Sequence, residues 1–272
     1  MRRDFIDGEY GQVHYRLAGT GSTKPTIVCL HMVPKSSQSF ETIMPFLAAD
    51  RLVLAPDYPG YGDSDPPPAE PHVRIEDYAR VVRQLLVDLN VGPACFVGYH
   101  TGSMVAAELA YQWPETVIKL INISSPIFTR DETASLNKYF EPIPLDLTGS
   151  RFKIMWSRIM KYRGPGMTLE MAAKSMSENM RGGENYEWGH RAAFSNTETY
   201  ACRLTKINQP LFVMNLNDDL HSHTKRADKL MKNGVRKDFL EWGHGFMEVF
   251  TAEVAKEILK FFDGQLDEPS IE

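Results

Sequence analysis

No stretch of the 272 residues approaches the roughly eighteen consecutive apolar positions of a membrane-spanning helix. Arg2 and Arg3 are followed by Asp4-Phe5-Ile6-Asp7 rather than by an apolar core, so no secretory signal is expected there. Cysteine is scarce. Cys29, Cys95 and Cys202 are odd in number and far apart, which excludes a disulfide framework and fits free thiols in a reducing compartment, the cytoplasm. Neither sign of charge dominates: 30 Lys and Arg against 35 Asp and Glu leave a net charge of −5. That balance offers no electrostatic footprint for nucleic acid or an anionic membrane. No repeat or low-complexity tract is present, although Pro66-Pro67-Pro68 marks a stiff loop. What remains is a chain 43% apolar and 24% charged, of a length that suits one α/β unit carrying an insertion.

Short apolar runs alternate with amphipathic helical patterns. Gln12–Leu17 alternates like a half-exposed strand, whereas Thr26–Leu30 and Leu52–Ala55 are continuously apolar, as strands buried on both faces are. Ile75, Tyr78, Ala79, Val82, Leu85, Leu86 and Leu89 recur at helical spacing, and Val117–Ile123 reads as a further strand. The rhythm breaks between residues 127 and 204, where helical segments stand without a clear strand. Phe152, Met155, Trp156, Ile159 and Met160 share one helical face, and a second helix runs from near Thr168 to before Gly182-Gly183. Alternation resumes with strands at Pro210–Met214 and Phe239–Trp242, and the chain closes on a helix using Phe246 to Phe262. The pattern predicts an α/β fold, a mostly parallel central sheet flanked by helices, with a helical cap inserted. The sheet unit comprises residues 1–126 and 205–272, and the cap residues 127–204.

Five loops leave the carboxyl ends of these strands, where the sites of open α/β sheets form. They are His31-Met32-Val33-Pro34, Asp57 to Asp65, Gly98-Tyr99-His100-Thr101-Gly102, Asn215-Leu216-Asn217-Asp218-Asp219 and Gly243-His244-Gly245. The third has the G-x-S-x-G frame of a nucleophile elbow, with both glycines kept and histidine in place of serine. A serine is what this chain lacks at the one position where its frame asks for one.

Together the five loops resemble the α/β-hydrolase superfamily over essentially the whole chain, and most of all its capped members: haloalkane dehalogenases, epoxide hydrolases, carbon–carbon hydrolases and small esterases. The resemblance implies the order nucleophile, acid, histidine. It therefore puts His100 at the nucleophile position, His244 at the catalytic histidine, and Asp218 as the acid orienting His244, with Asp219 as the fallback. It also puts the oxyanion hole on the amides of Val33 and Thr101. His31-Met32 departs from the usual His-Gly, so Met32 narrows the pocket or packs under the cap. His31, Met32, Phe128 and Trp156 are expected around the substrate. The resemblance brings no metal and no cofactor, although His31, His100, His244 and Asp218 contain the two-histidine, one-carboxylate ligand set of iron sites.

Imidazole at the elbow allows three roles: nucleophile through an acyl-imidazole, general base on water or a substrate proton, or hydrogen-bond donor to a carbonyl. The leading expectation is hydrolysis of a small apolar, ester-like carbonyl compound, with His244 shuttling protons. A cofactor-independent lyase, decarboxylase or dioxygenase working by histidine base chemistry is the alternative, followed by a catalytically inactive ligand-binding protein. The partners expected are a small-molecule substrate and, at most, a second copy of the chain.

Overall fold

A computed structural model describes residues 1–68 and 74–265, and its centre is an eight-stranded sheet in the order β1-β2-β4-β3-β5-β6-β7-β8. The strands are β1 (Arg2–Gly8), β2 (Gly11–Ala18), β3 (Ile27–Leu30), β4 (Val53–Pro56), β5 (Ala94–Tyr99), β6 (Val117–Ile123), β7 (Leu211–Leu216) and β8 (Gly234–Phe239). Pairing is antiparallel from β1 to β2 and from β2 to β4, and parallel from there on. Helices α1 (Met44–Leu47), α2 (Ile75–Asp88) and α3 (Thr101–Gln112) precede β6. Then follow α4 (Arg130–Tyr139), α5 (Ser150–Tyr162), α6 (Leu169–Arg181), α7 (Trp188–Ser195) and α8 (Thr197–Leu204), all between β6 and β7. The last three are α9 (His221–Thr224), α10 (Phe246–Val249) and α11 (Thr251–Phe262).

The continuous apolar runs follow from burial on two faces. Val28, Leu30, Leu54, Phe96, Leu120 and Val213 point into one core, packed by Val82 and Leu86 of α2 and Val105 and Leu109 of α3. Their neighbours Ile27, Cys29, Val53, Val97, Ile121 and Phe212 point into the other, packed by Met44 of α1 and Val254 and Ile258 of α11. The period-two alternation of a strand therefore splits each run between two cores. Tyr200 and Leu204 of α8 belong to the first core. That helix, the end of the expected cap segment, thus packs with the sheet layer.

Two edge strands differ from the expectation. β1 is largely exposed, so nothing selects an apolar face in Arg-Arg-Asp-Phe-Ile-Asp-Gly, and its pattern carries no strand signal. β8 is Gly234–Phe239, not Phe239–Trp242, and it too is an edge strand with no fully buried residue. Leu240 to Trp242 form the turn beyond it, where Trp242 stacks on Phe239 at 4.3 Å between ring centroids. The closing helix is two helices, α10 and α11, parted at Phe250.

The cap helix α6 is tied to the loops at the sheet's carboxyl edge. Lys35 Nζ donates to the carbonyl and hydroxyl oxygens of Ser175 at 2.7 and 2.6 Å. The backbone N–H and the hydroxyl of Ser36 both donate to Glu178 Oε1, at 2.8 and 2.6 Å, and Arg181 pairs with Asp63. Among the described residues no helix is long and apolar enough to cross a membrane.

Candidate active site

β5 runs straight into α3 through His100, whose φ of +48° and ψ of −110° lie in a region that side-chain-bearing residues rarely adopt. The flanking glycines make that turn sterically feasible. A Cβ on Gly98 would lie 2.3 Å from the Gly102 carbonyl oxygen, and one on Gly102 would lie 2.0 Å from that of Leu30. Neither neighbour is the tip of a flexible side chain, so the backbone itself must move. Gly102→Ala is therefore expected to cost more than about 4 kcal/mol of stability, read as loss of the folded fraction in denaturant titration.

Asp218 sits beneath the elbow with its side chain fully buried. His100 Nε2 donates to Asp218 Oδ2 at 3.0 Å, the Ser124 hydroxyl donates to the same oxygen at 2.7 Å, and the Leu220 N–H donates to Oδ1 at 2.9 Å. Burial pushes the Asp218 carboxyl up, but the hydrogen bond and charge of His100, with the charge of His244, hold it below the usual carboxylate range. An ionised Asp218 accepts only, which places the His100 proton on Nε2 and leaves a lone pair on Nδ1. Nδ1 has no hydrogen-bond partner among the described residues, and His100 lines the cavity under the cap.

Asp219, the next residue, faces the other way. Its Oδ1 accepts from His244 Nε2 at 2.7 Å, and His244 Nδ1 meets the Tyr99 hydroxyl at 3.1 Å. The expected Asp218–His244 pair is thus not formed. Asp218 turns inward to His100 and Ser124, and the fallback Asp219 lines the cavity and takes His244. Two imidazole–carboxylate pairs result, with ring centroids 5.4 Å apart. Burial pulls the His244 imidazole down. Its hydrogen bond to Asp219 and the charges of Asp219 and Asp218 outweigh burial and set it above the ordinary imidazole value.

That raised value has a direction in pH. The stabilisation from His244 is complete below the ordinary imidazole pKa and is lost as pH rises through the higher folded-state value. Wild type is therefore expected to lose melting temperature, relative to His244→Gln, as pH goes from about 6 to about 9. A gap independent of pH in differential scanning calorimetry would contradict the pairing.

His31 is not part of the cavity. The Tyr58 N–H donates to its Nε2 at 3.1 Å, so the proton is on Nδ1, which donates to the Met32 carbonyl at 2.9 Å. Both nitrogens are used in holding the loop, and burial keeps the ring below the ordinary imidazole value. Met32, Val33, Thr101 and Phe128 do line the cavity. Trp156 does not: it packs on the small cluster of Met155, Met176 and Tyr186. From the same helix Arg158, Ile159 and Tyr162 reach the cavity instead. Ser124, Tyr99, Lys35, Arg158 and His190 escaped the sequence reading. Ser124 carries a sequence signal, because it directly follows β6 at the sheet's carboxyl edge, where it takes a φ of +51°.

One ligand atom from each of His100, Asp218, Asp219 and His244 lies within 4.8 Å of the others, so this quartet at the cavity's edge could hold a cation. His14, Asp57 and Asp63 form the other such group among the described residues, away from the cavity. There the buried His14 Nδ1 meets Asp57 Oδ2 at 2.7 Å.

Residues 25–150 match the family model described as alpha/beta hydrolase fold. An uncharacterised protein of Mycobacterium tuberculosis is 36% identical over 117 residues, which are 43% of this chain and 33% of that protein. Mouse bifunctional epoxide hydrolase 2 is 26% identical over 171 residues, 62% of this chain and 28% of that one. The matched segments thus span about a third or less of those relatives. A solved esterase from Exiguobacterium antarcticum superposes with a TM-score of 0.77 at 17% identity, covering 95% of this chain and 98% of its own. The sheet order, the elbow and these matches give the chain the α/β-hydrolase fold.

Proposed function

We propose that the protein is a hydrolase of small apolar, ester-like carbonyl compounds in which His100 takes the place of the serine nucleophile. The observation that carries this reading is the His100–Asp218 hydrogen bond, which leaves a basic Nδ1 at the strained elbow in a cavity walled by Phe128, Phe140 and Phe194. Nδ1 attacks the carbonyl carbon, and the Val33 and Thr101 amides receive the developing oxyanion. Thr101 opens α3, so its N–H lies at the positive end of the helix dipole. The His244 imidazolium, held by Asp219, protonates the departing alcohol. Asp218 offsets the positive charge that acylation puts on His100; water then attacks the acyl carbon, gives its proton to the now neutral His244, and breaks the C–N bond to release the acid and free His100. Epoxide hydrolase and esterase activities named for the relatives and structural neighbours support hydrolysis as the reaction class.

A second reading has its own support. Two imidazole–carboxylate pairs, one with an unpartnered Nδ1 and one whose carboxylate raises its basicity, suffice for a lyase that removes a substrate proton without an acyl-enzyme. Pre-steady-state hydrolysis of p-nitrophenyl butyrate separates the two. The nucleophile reading predicts a burst of nitrophenolate close to one equivalent per chain, followed by slower turnover. No turnover of this or other activated esters, alongside proton exchange on an enolisable ketone, would favour the lyase.

A further inference from the structure

Arg158 of α5 also lines the cavity, and the reaction just proposed gives it no role. Its Nη2 donates to the Tyr139 carbonyl, and its guanidinium carbon lies 4.5 and 4.8 Å from the ring centroids of Tyr139 and Phe140. Nε and Nη1 are buried with no hydrogen-bond partner. This is a costly condition for a charged group.

It is also out of keeping with the rest of the chain. Arg16, Arg51, Arg83, Arg151, Arg203, Arg226 and Arg236 are, like Arg158, buried or half-buried, and each has a carboxylate within 4.0 Å. Among the described residues Arg158 is the one non-exposed arginine without such a partner. The cavity's lysine is already engaged, because Lys35 donates to Ser175 and stands 3.9 Å from Glu178. His190, stacked on Phe140 at 4.1 Å, is held neutral, since burial and the charge of Arg158 pull it down to about 4. The cavity's carboxylate, Asp219, is taken by His244, so the group that meets Arg158 there is the neutral phenol of Tyr186 and no carboxylate answers its charge.

We propose that the cavity takes a substrate with an apolar body and a carboxylate, and that Arg158 is the specificity-determining residue that binds the carboxylate. A ligand carboxylate supplies acceptors to Nε and Nη1, turning an unpaired buried charge into a charge-assisted pair. The aromatic walls take the apolar body, and the carbonyl to be attacked lies between the carboxylate and His100. As a statement about substrate, this rests on the hydrolase reading; as a statement about binding, it does not.

Titration calorimetry with phenylbutanoate and its uncharged amide, on the full-length protein, tests it. Wild type is expected to bind the acid about tenfold or more tightly than the amide. Arg158→Gln is expected to lose that preference while keeping its affinity for the amide. Arg158→Lys, which keeps a charge and most of the side-chain volume, is expected to keep a reduced preference and serves if the Gln variant does not fold. Equal affinity of wild type for acid and amide, failure of the acid to bind at millimolar concentration, or an undiminished preference in both variants would overturn the proposal. His100→Ala separates the two readings, because it is expected to remove ester turnover and to leave the preference for the acid unchanged.

Discussion

His100→Ala is expected to lower turnover of p-nitrophenyl butyrate by roughly a thousandfold or more, with the protein still folded. The size of the effect follows from position. His100 is the side chain that the elbow presents to the cavity, and both of its glycines are committed to that presentation. No neighbouring group can take over. Ser103, three residues on, gives its hydroxyl to the Gly98 carbonyl at 2.9 Å, and Cys95 is buried with its thiol pushed up to about 11. Circular dichroism and the denaturation midpoint separate a chemical loss from a folding loss. Turnover within a few-fold of wild type in folded His100→Ala would remove the nucleophile from the mechanism.

Asp218→Asn carries the second largest expected effect, a loss of about 10²–10⁴-fold in kcat. The buried carboxylate accepts from His100, from the Ser124 hydroxyl and from the Leu220 N–H, so three donors converge on its two oxygens. An asparagine offers one acceptor oxygen and brings two N–H donors of its own. The His100 proton is then no longer held on Nε2 against a negative charge. The same imbalance leaves a buried donor unpaired, at about 1–3 kcal/mol of stability. Asp219→Asn is the informative contrast. It acts on His244, so its larger effect is on the pH profile: His244 loses the partner that raises it, and the limb set by the protonated His244 moves to lower pH. If Asp219→Asn were the more damaging of the two and Asp218→Asn near neutral, the roles assigned to the pairs would be reversed.

Much of the fold is legible in the sequence, and the exceptions have physical causes. The elbow was legible because close backbone approach requires glycine at 98 and 102, and steric requirements of that kind survive in sequence. The central strands were legible because burial on two faces demands unbroken apolar runs. β1 and β8 were not, because an edge strand without a buried face needs no pattern. Val33, Thr101, Met32 and Phe128 come to the cavity; His31 and Trp156 do not. Position in a loop says that a side chain is near the site, not which way it turns. His31 turns back to serve its own loop through Met32 and Tyr58. The division between Asp218 and Asp219 is of the same kind. Two consecutive carboxylates look interchangeable in sequence, and the hydroxyl of Ser124, some ninety residues away in the chain, is among the groups that decide which turns inward. Arg158 was hidden for another reason: a lone arginine on an amphipathic helix is ordinary until the absence of its carboxylate is seen in three dimensions.

In the proposed mechanism the histidine at the elbow performs the attack. Protein mixed with p-nitrophenyl butyrate and quenched in acid within the first turnovers, then digested and mass-analysed, tests it most directly. A butyryl increment on the peptide carrying Gly98 to Gly102, assigned to His100 and absent from His100→Ala, is the predicted result. Ester turnover with that peptide unmodified at every quench time, or an increment on another residue, would contradict it.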